Sequence, residues 1–168
     1  MGLSRGAVNI GSTGSIIAQS VNSKSGKIVI GSPSANSVRV AGNIDVSAPK
    51  RFISPSGTII VQGRRVTHTG NIYANGGSGG KIKVLSTENL KLDGSLFAKG
   101  TKDKGGSVIV MSENSIQTSA KTVIDVSGQL KGGTAQLLAK VKNKVSGNIF
   151  ANSNLGKGGN IDITAEKT

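Results

Sequence analysis

The sequence predicts an all-β chain wound as a right-handed parallel β-helix, a single-stranded β-solenoid of about six coils of roughly 26 residues. Three observations predict it. A glycine followed by alternating apolar residues recurs, as in Gly26-Lys27-Ile28-Val29-Ile30, Gly80-Lys81-Ile82-Lys83-Val84 and Gly106-Ser107-Val108-Ile109-Val110. The glycines at 80, 106, 133 and 159 stand 26, 27 and 26 residues apart, after less regular steps of 31 and 23 from Gly26 through Gly57. Like positions carry like residues, which parallel stacking of successive coils explains and a set of antiparallel hairpins does not.

Each repeat carries three short strands. The glycine-led strand is followed by a second, Val38-Arg39-Val40, Val66-Thr67-His68 or Leu90-Lys91-Leu92. A third follows Gly42, Gly70, Gly94 and Gly147, as in Asn43-Ile44-Asp45-Val46-Ser47 and Asn148-Ile149-Phe150-Ala151-Asn152; Val123-Ile124-Asp125-Val126-Ser127 fits with Lys121 where glycine is expected. Strict alternation is the period of a half-buried strand, not of a helix. Strands this short cannot bury a face alone, so neighbouring copies must stack, about 4.8 Å apart, into a rod of roughly 30 Å. Parallel crossovers are overwhelmingly right-handed. Glycine at the corners is expected for its tolerance of φ > 0. The chain reads as one domain over 1–168, with 1–25 a degraded first coil, in which Gly6, Val8 and Ile10 echo the glycine-led strand, and 26–165 regular.

Composition agrees and narrows the function. Aromatics are only 2% and there is no Trp, too few for an ordinary globular core. With no Cys and a single histidine, His68, neither a Cys-based nor a His-rich metal site is expected, and no cofactor. Residues 1–20 contain no signal peptide and no stretch has the length of a membrane helix, so any export address is expected outside this chain, with no membrane insertion. The net charge of +13 allows an anionic partner, although charge first serves solubility.

Polysaccharide cleavage would need a close pair of carboxylates. Asp45 and Asp125 share an outward slot of the third strand but lie three coils apart, roughly 14 Å, against the about 5–9.5 Å of glycosidase pairs. His68 falls in the inward slot of Val40 and Leu92, so it reads as a buried histidine with a backbone partner. Gly76-Gly77-Ser78-Gly79-Gly80 lacks the Lys-Ser/Thr of a phosphate loop and reads as a flexible turn. An enzyme is therefore not expected.

Two surface features point to binding. Basic residues crowd the turns before the repeat glycines: Lys24, Lys50 with Arg51, Lys99, Lys102, Lys104, Lys131 and Lys157. The last five are the expected polyanion-binding edge, for a host glycan or sulfated polysaccharide; Lys140, Lys142 and Lys144 add a second cluster. Nucleic acid is not expected, because stacking aromatics are not interleaved with these charges. Tyr73, Phe97 and Phe150 share the outward slot beside the small inner residues Ala74, Ala98 and Ala151. They are either an exposed aromatic ladder or cover for small inner neighbours, and the second reading is favoured.

Gly105-Gly106-Ser107-Val108-Ile109-Val110, Lys121-Thr122-Val123-Ile124-Asp125-Val126-Ser127-Gly128, Lys131-Gly132-Gly133-Thr134, Asn148-Ile149-Phe150-Ala151-Asn152 and Gly156-Lys157-Gly158-Gly159-Asn160-Ile161 resemble the filamentous-haemagglutinin-like exoproteins of two-partner secretion, over roughly 26–165. The resemblance implies a Gram-negative exoprotein, moved through an outer-membrane transporter partner and folded outside the cell. It implies a secreted or cell-surface location and a role in adhesion, biofilm formation or contact-dependent toxicity. The family's Asn-Pro-Asn-Gly secretion motif is missing, since the prolines are Pro33, Pro49 and Pro55, none of them after Asn. The chain is expected to be an interior segment or a truncated reading frame. The expected function is a structural and adhesive segment; the alternatives are a polysaccharide-active β-helix enzyme and a nonfunctional remnant. Open coil ends are expected to favour end-to-end self-association.

Overall fold

A computed structural model describes residues 6–19, 26–49, 53 and 56–166. It is a parallel β-solenoid of six coils, each contributing one strand to each of three sheets. The first coil holds β1 (Ala7–Ile10), β2 (Ser15–Ile17) and β3 (Lys27–Gly31), the second β4 (Ser37–Val40), β5 (Asn43–Asp45) and β6 (Thr58–Gly63). The third holds β7 (Arg65–His68), β8 (Asn71–Tyr73) and β9 (Lys81–Ser86), the fourth β10 (Asn89–Leu92), β11 (Ser95–Phe97) and β12 (Ser107–Ser112). The fifth holds β13 (Ser115–Thr118), β14 (Val123–Asp125) and β15 (Thr134–Ala139), the sixth β16 (Lys142–Lys144), β17 (Asn148–Phe150) and β18 (Asn160–Ala165). Every pairing is parallel and links a strand to its counterpart in the next coil, β1 to β4, β2 to β5, β3 to β6, and so on.

Alternation fixes which side chains go inside. In β9, Ile82 and Val84 are buried while Lys81 and Lys83 face outward. Register then stacks the inner residues into columns: Ile28, Ile59, Ile82, Val108, Ala135 and Ile161 form one, Ile44, Ile72, Leu96, Ile124 and Ile149 another. Each larger buried member contributes roughly 1.5–3 kcal/mol, so a core almost without aromatics still closes. Buried hydroxyls are bonded where the columns turn polar: Ser86 donates to the Arg64 carbonyl (2.7 Å) and Thr122 to that of Leu92 (2.6 Å).

Four expectations need correction. Ala7–Ile10 belongs with the second-strand series, because Val8 and Ile10 pair with Val38 and Val40; it is not a copy of the glycine-led strand. The residue in the glycine position before Val123 is Thr122, not Lys121, since Asn148 N–H bonds the Thr122 carbonyl as Ser95 N–H bonds that of Gly70. A side chain fits there because the fifth coil has four residues between β13 and β14, where the fourth has two between β10 and β11.

The glycines also serve a different purpose from the expected one. Among the described residues only Gly31 and Gly147 have positive φ. The repeat glycines instead lie against the backbone of the coil before: a Cβ on Gly106 would stand 2.1 Å from the Gly80 carbonyl oxygen, and one on Gly133 2.1 Å from that of Gly106. Close approach of stacked backbones, not left-handed geometry, demands them. Finally, Gly76–Gly80 is a buried corner and not a flexible turn. Gly76 pairs with Gly100, and the Ser78 hydroxyl lies within reach of the Ile53 carbonyl (2.6 Å) and the Asp103 carboxylate (2.8 Å).

Candidate functional site: the turn edge and the outward slot

The turns after β11, β14 and β17 return the chain to the third sheet, and their ends are locked in register. Lys104 pairs with Lys131, and Lys131 with Lys157, as parallel bridges. Gly79, Gly105 and Gly132 each donate to the carbonyl of the next coil's lysine, at 3.0, 2.9 and 3.0 Å. Three exposed ammoniums are thereby set at successive coil steps, about 4.8 Å apart at the backbone. The other expected members sit elsewhere. Lys99 occupies the corner before the turn, and its Nζ lies 3.0 Å from Asp125 Oδ2. Lys102 is exposed at the tip of the same turn, where its N–H bonds the Gly77 carbonyl. Lys24, Lys50 and Arg51 lie outside the described residues. In the second cluster, Lys140 pairs with Glu113, while Lys142 and Lys144 are exposed on β16.

The outward slot of the second sheet reads, along the axis, Ile17, Asp45, Tyr73, Phe97, Asp125, Phe150. Tyr73 and Phe97 stack, with ring centroids 5.3 Å apart and planes 9° from parallel. Phe150 is not contiguous with them, because Asp125 intervenes. The aromatic ladder is thus a stacked pair and one separate ring, 39% exposed.

Asp45 and Asp125 keep the three-coil separation read from the sequence, and each has a local task. Asp45 Oδ1 accepts from the Ser47 N–H (2.7 Å) and Asp125 Oδ1 from that of Ser127 (2.9 Å). Burial alone raises the Asp125 carboxyl, but the Ser127 hydroxyl and N–H and the Lys99 ammonium overcome this and hold its pKa below the ordinary value. In the third, fourth and sixth coils the corner N–H is served from the coil before: Asn75 N–H bonds Ser47 Oγ (3.2 Å), Lys99 N–H bonds Asn75 Oδ1 (2.8 Å), Asn152 N–H bonds Ser127 Oγ (3.2 Å). The residue preceding Ser127 in this series is Lys99, whose side chain has no acceptor, so Ser127 relies on its own aspartate. Gln19, preceding Ser47, donates to Asp45 (2.6 Å). The recurring Asp-Val-Ser is a corner cap of the Asx-turn kind.

His68 is fully buried between Val40 and Leu92, as expected. Its Nε2 lies 3.4 Å from the Ser95 carbonyl and its Nδ1 has no hydrogen-bond partner. Burial lowers its pKa to about 4, against smaller opposing effects of the Ser95 and Val40 carbonyls. It touches neither surface feature.

Sequence reading missed a groove of about 490 Å³ across the fourth, fifth and sixth coils, bounded by Lys99, Asp125 and Phe150. The signal was present in the register: Asp125 stands between Phe97 and Phe150, and Ser127 between Lys99 and Asn152. The fold defines a parallel β-solenoid. No family model, curated protein or solved structure matches the chain.

Proposed function

We propose that the chain is a structural and adhesive rod segment of a secreted bacterial surface protein, delivered through an outer-membrane transporter, which holds sulfated or otherwise anionic glycan along one edge. The resemblance to haemagglutinin-like exoproteins supports the setting. The observation that carries the binding is the in-register ladder of Lys104, Lys131 and Lys157. Like charges at neighbouring ladder positions repel, by about 1 kcal/mol for a pair at 4 Å in water, and a polyanion laid along the axis converts that repulsion into attraction. Each exposed contact contributes roughly 0–1 kcal/mol, so binding depends on several together and weakens with salt. The reading is non-enzymatic, and the corner-capping role of Asp45 and Asp125 supports it.

The test is elution from a heparin column of two variants that lose the same charge. Lys104→Gln/Lys131→Gln/Lys157→Gln removes the ladder; Lys27→Gln/Arg39→Gln/Lys83→Gln removes three charges from sheet faces outside both basic clusters. The ladder variant is expected to elute at clearly lower salt and the control close to the parent protein. Equal shifts would reduce the effect to net charge and end the reading.

A further inference from the structure

We propose that the groove across the fourth to sixth coils is a binding site for a neutral sugar unit of a glycan, separate from the lysine ladder. The register itself makes the depression. On its floor Asp125 stands between Phe97 and Phe150, and Gly128 is bridged to Gly100 and Ser153. Ser127 occupies the position held by Lys99 one coil before and Asn152 one coil after, as the hydrogen bonds of Gly100 and Gly128 show. Asp125 and Ser127, each between longer side chains in both neighbouring coils, and the adjoining Gly100 and Gly128 leave a trough two coil steps wide, about 10 Å. Its volume of about 490 Å³ is in the range of small-molecule sites.

The lining selects the ligand class. A pyranose has an apolar face of C–H groups and a rim of hydroxyls, each both donor and acceptor. Phe150, 39% exposed, supplies a wall on which such a face can stack. Asn152 and Gln129 supply amides that donate and accept in one plane, matching vicinal hydroxyls. Asn154 Nδ2 donates to Gln129 Oε1 at 2.9 Å, which fixes the Gln129 amide and directs its NH2 to other acceptors. Lys99 and Asp125, 3.0 Å apart, offer an ammonium donor and a carboxylate acceptor with no net charge. An anionic unit would find the Lys99 charge already neutralised and would have to approach the Asp125 carboxylate beside it, so the site favours an uncharged sugar. The lysine ladder, at the far end of the same turns, favours the opposite kind.

The experiment is saturation-transfer NMR on the whole chain with four neutral disaccharides: maltose, cellobiose, lactose and diacetylchitobiose. At least one is expected to bind, with a dissociation constant of about a millimolar. Phe150→Leu, which keeps an apolar group on an outward position, should weaken it by about threefold to tenfold. Phe150→Tyr should retain it, and the ladder variant with Lys104, Lys131 and Lys157 changed to Gln should bind as the parent does. Absence of transfer for all four sugars, an unchanged signal in Phe150→Leu, or stronger binding of a sulfated disaccharide in the groove would each overturn the assignment.

Discussion

At the scale of single residues, His68 shows how far a one-dimensional pattern reaches. Alternation alone put it in the inward column between Val40 and Leu92, and it is there, with 0% exposure. What alternation does not carry is the orphaned Nδ1 and the pKa of about 4, which depend on how completely neighbouring coils exclude water. The consequence is a pH dependence of stability. The unfolded imidazole takes up a proton as pH falls through about 6.5, whereas the folded one resists until about 4. Between these values the unfolded state binds more protons, so stability is full above about 6.5 and falls steadily as pH drops towards 4. The loss amounts to about 2–3 kcal/mol near pH 4.5. Urea titrations at several pH values should show it, and His68→Leu, which matches the columns above and below, should abolish it in that window. An undiminished loss in the variant would place the sensitivity elsewhere. The glycines teach the complementary lesson. Their positions were legible, but their reason was not, because contact of Gly106 with the Gly80 carbonyl is a property of two coils and leaves no trace in either one alone.

At the scale of the strand and its corner, the placement of Asp125 in the outward slot follows from the coil beneath. Ser47, Asn75 and Ser127 offer an oxygen to the next coil's corner N–H; Lys99 cannot, and the coil above it supplies Asp125 instead. The repeat was readable as Asp-Val-Ser against Tyr-Ala-Asn or Phe-Ala-Lys, but the rule needs the register to connect residue 99 with residue 127. The same missing link hid the groove. The cap rule can be tested by a cycle. Asp125→Ala should cost about 1 kcal/mol, by stranding the Ser127 N–H and the Lys99 ammonium. Lys99→Asn provides an oxygen placed as Asn75 Oδ1 is placed towards Lys99 N–H, at 2.8 Å. Combined with Asp125→Ala, it should restore most of the lost stability in a denaturant midpoint measurement. Additive losses would mean that Asp125 acts through something other than the corner amide.

At the scale of the whole molecule, what matters is that a solenoid has two different ends. The inner columns of the second and third sheets stay apolar to both ends, from Ile16 to Ile149 and from Ile28 to Ile161, whereas the Val8 column ends on Asn143. At one end Val8, Ile10 and Ile16 are only partly buried; at the other Ile161 and Ile163 are each 44% exposed, where their counterparts Val108 and Val110 in the fourth coil are fully covered. Among the described residues no helix covers either end, and β1, β2 and β3 at one side and β16, β17 and β18 at the other leave strand edges without a partner. Sequence periodicity located these end coils but could not show that their strand directions match and that the apolar ends of the second- and third-sheet columns would meet. Setting the first coil of a second copy on the sixth coil of the first would continue all three parallel sheets and bury both sets of residues. Such a contact joins unlike surfaces, so it does not close on itself and grows into filaments. Sedimentation velocity of the 168-residue chain is therefore expected to show species that lengthen with concentration. Val8→Lys and Ile163→Lys each put an ammonium into one end, where burying it unpaired is costly. Each variant alone should be monomeric. Mixed, they should form a dimer and stop there, because one intact first coil meets one intact sixth coil and only blocked ends remain. Association of either variant with itself would show that like ends meet, and a parent chain that stays monomeric at all concentrations would show that the ends are already satisfied.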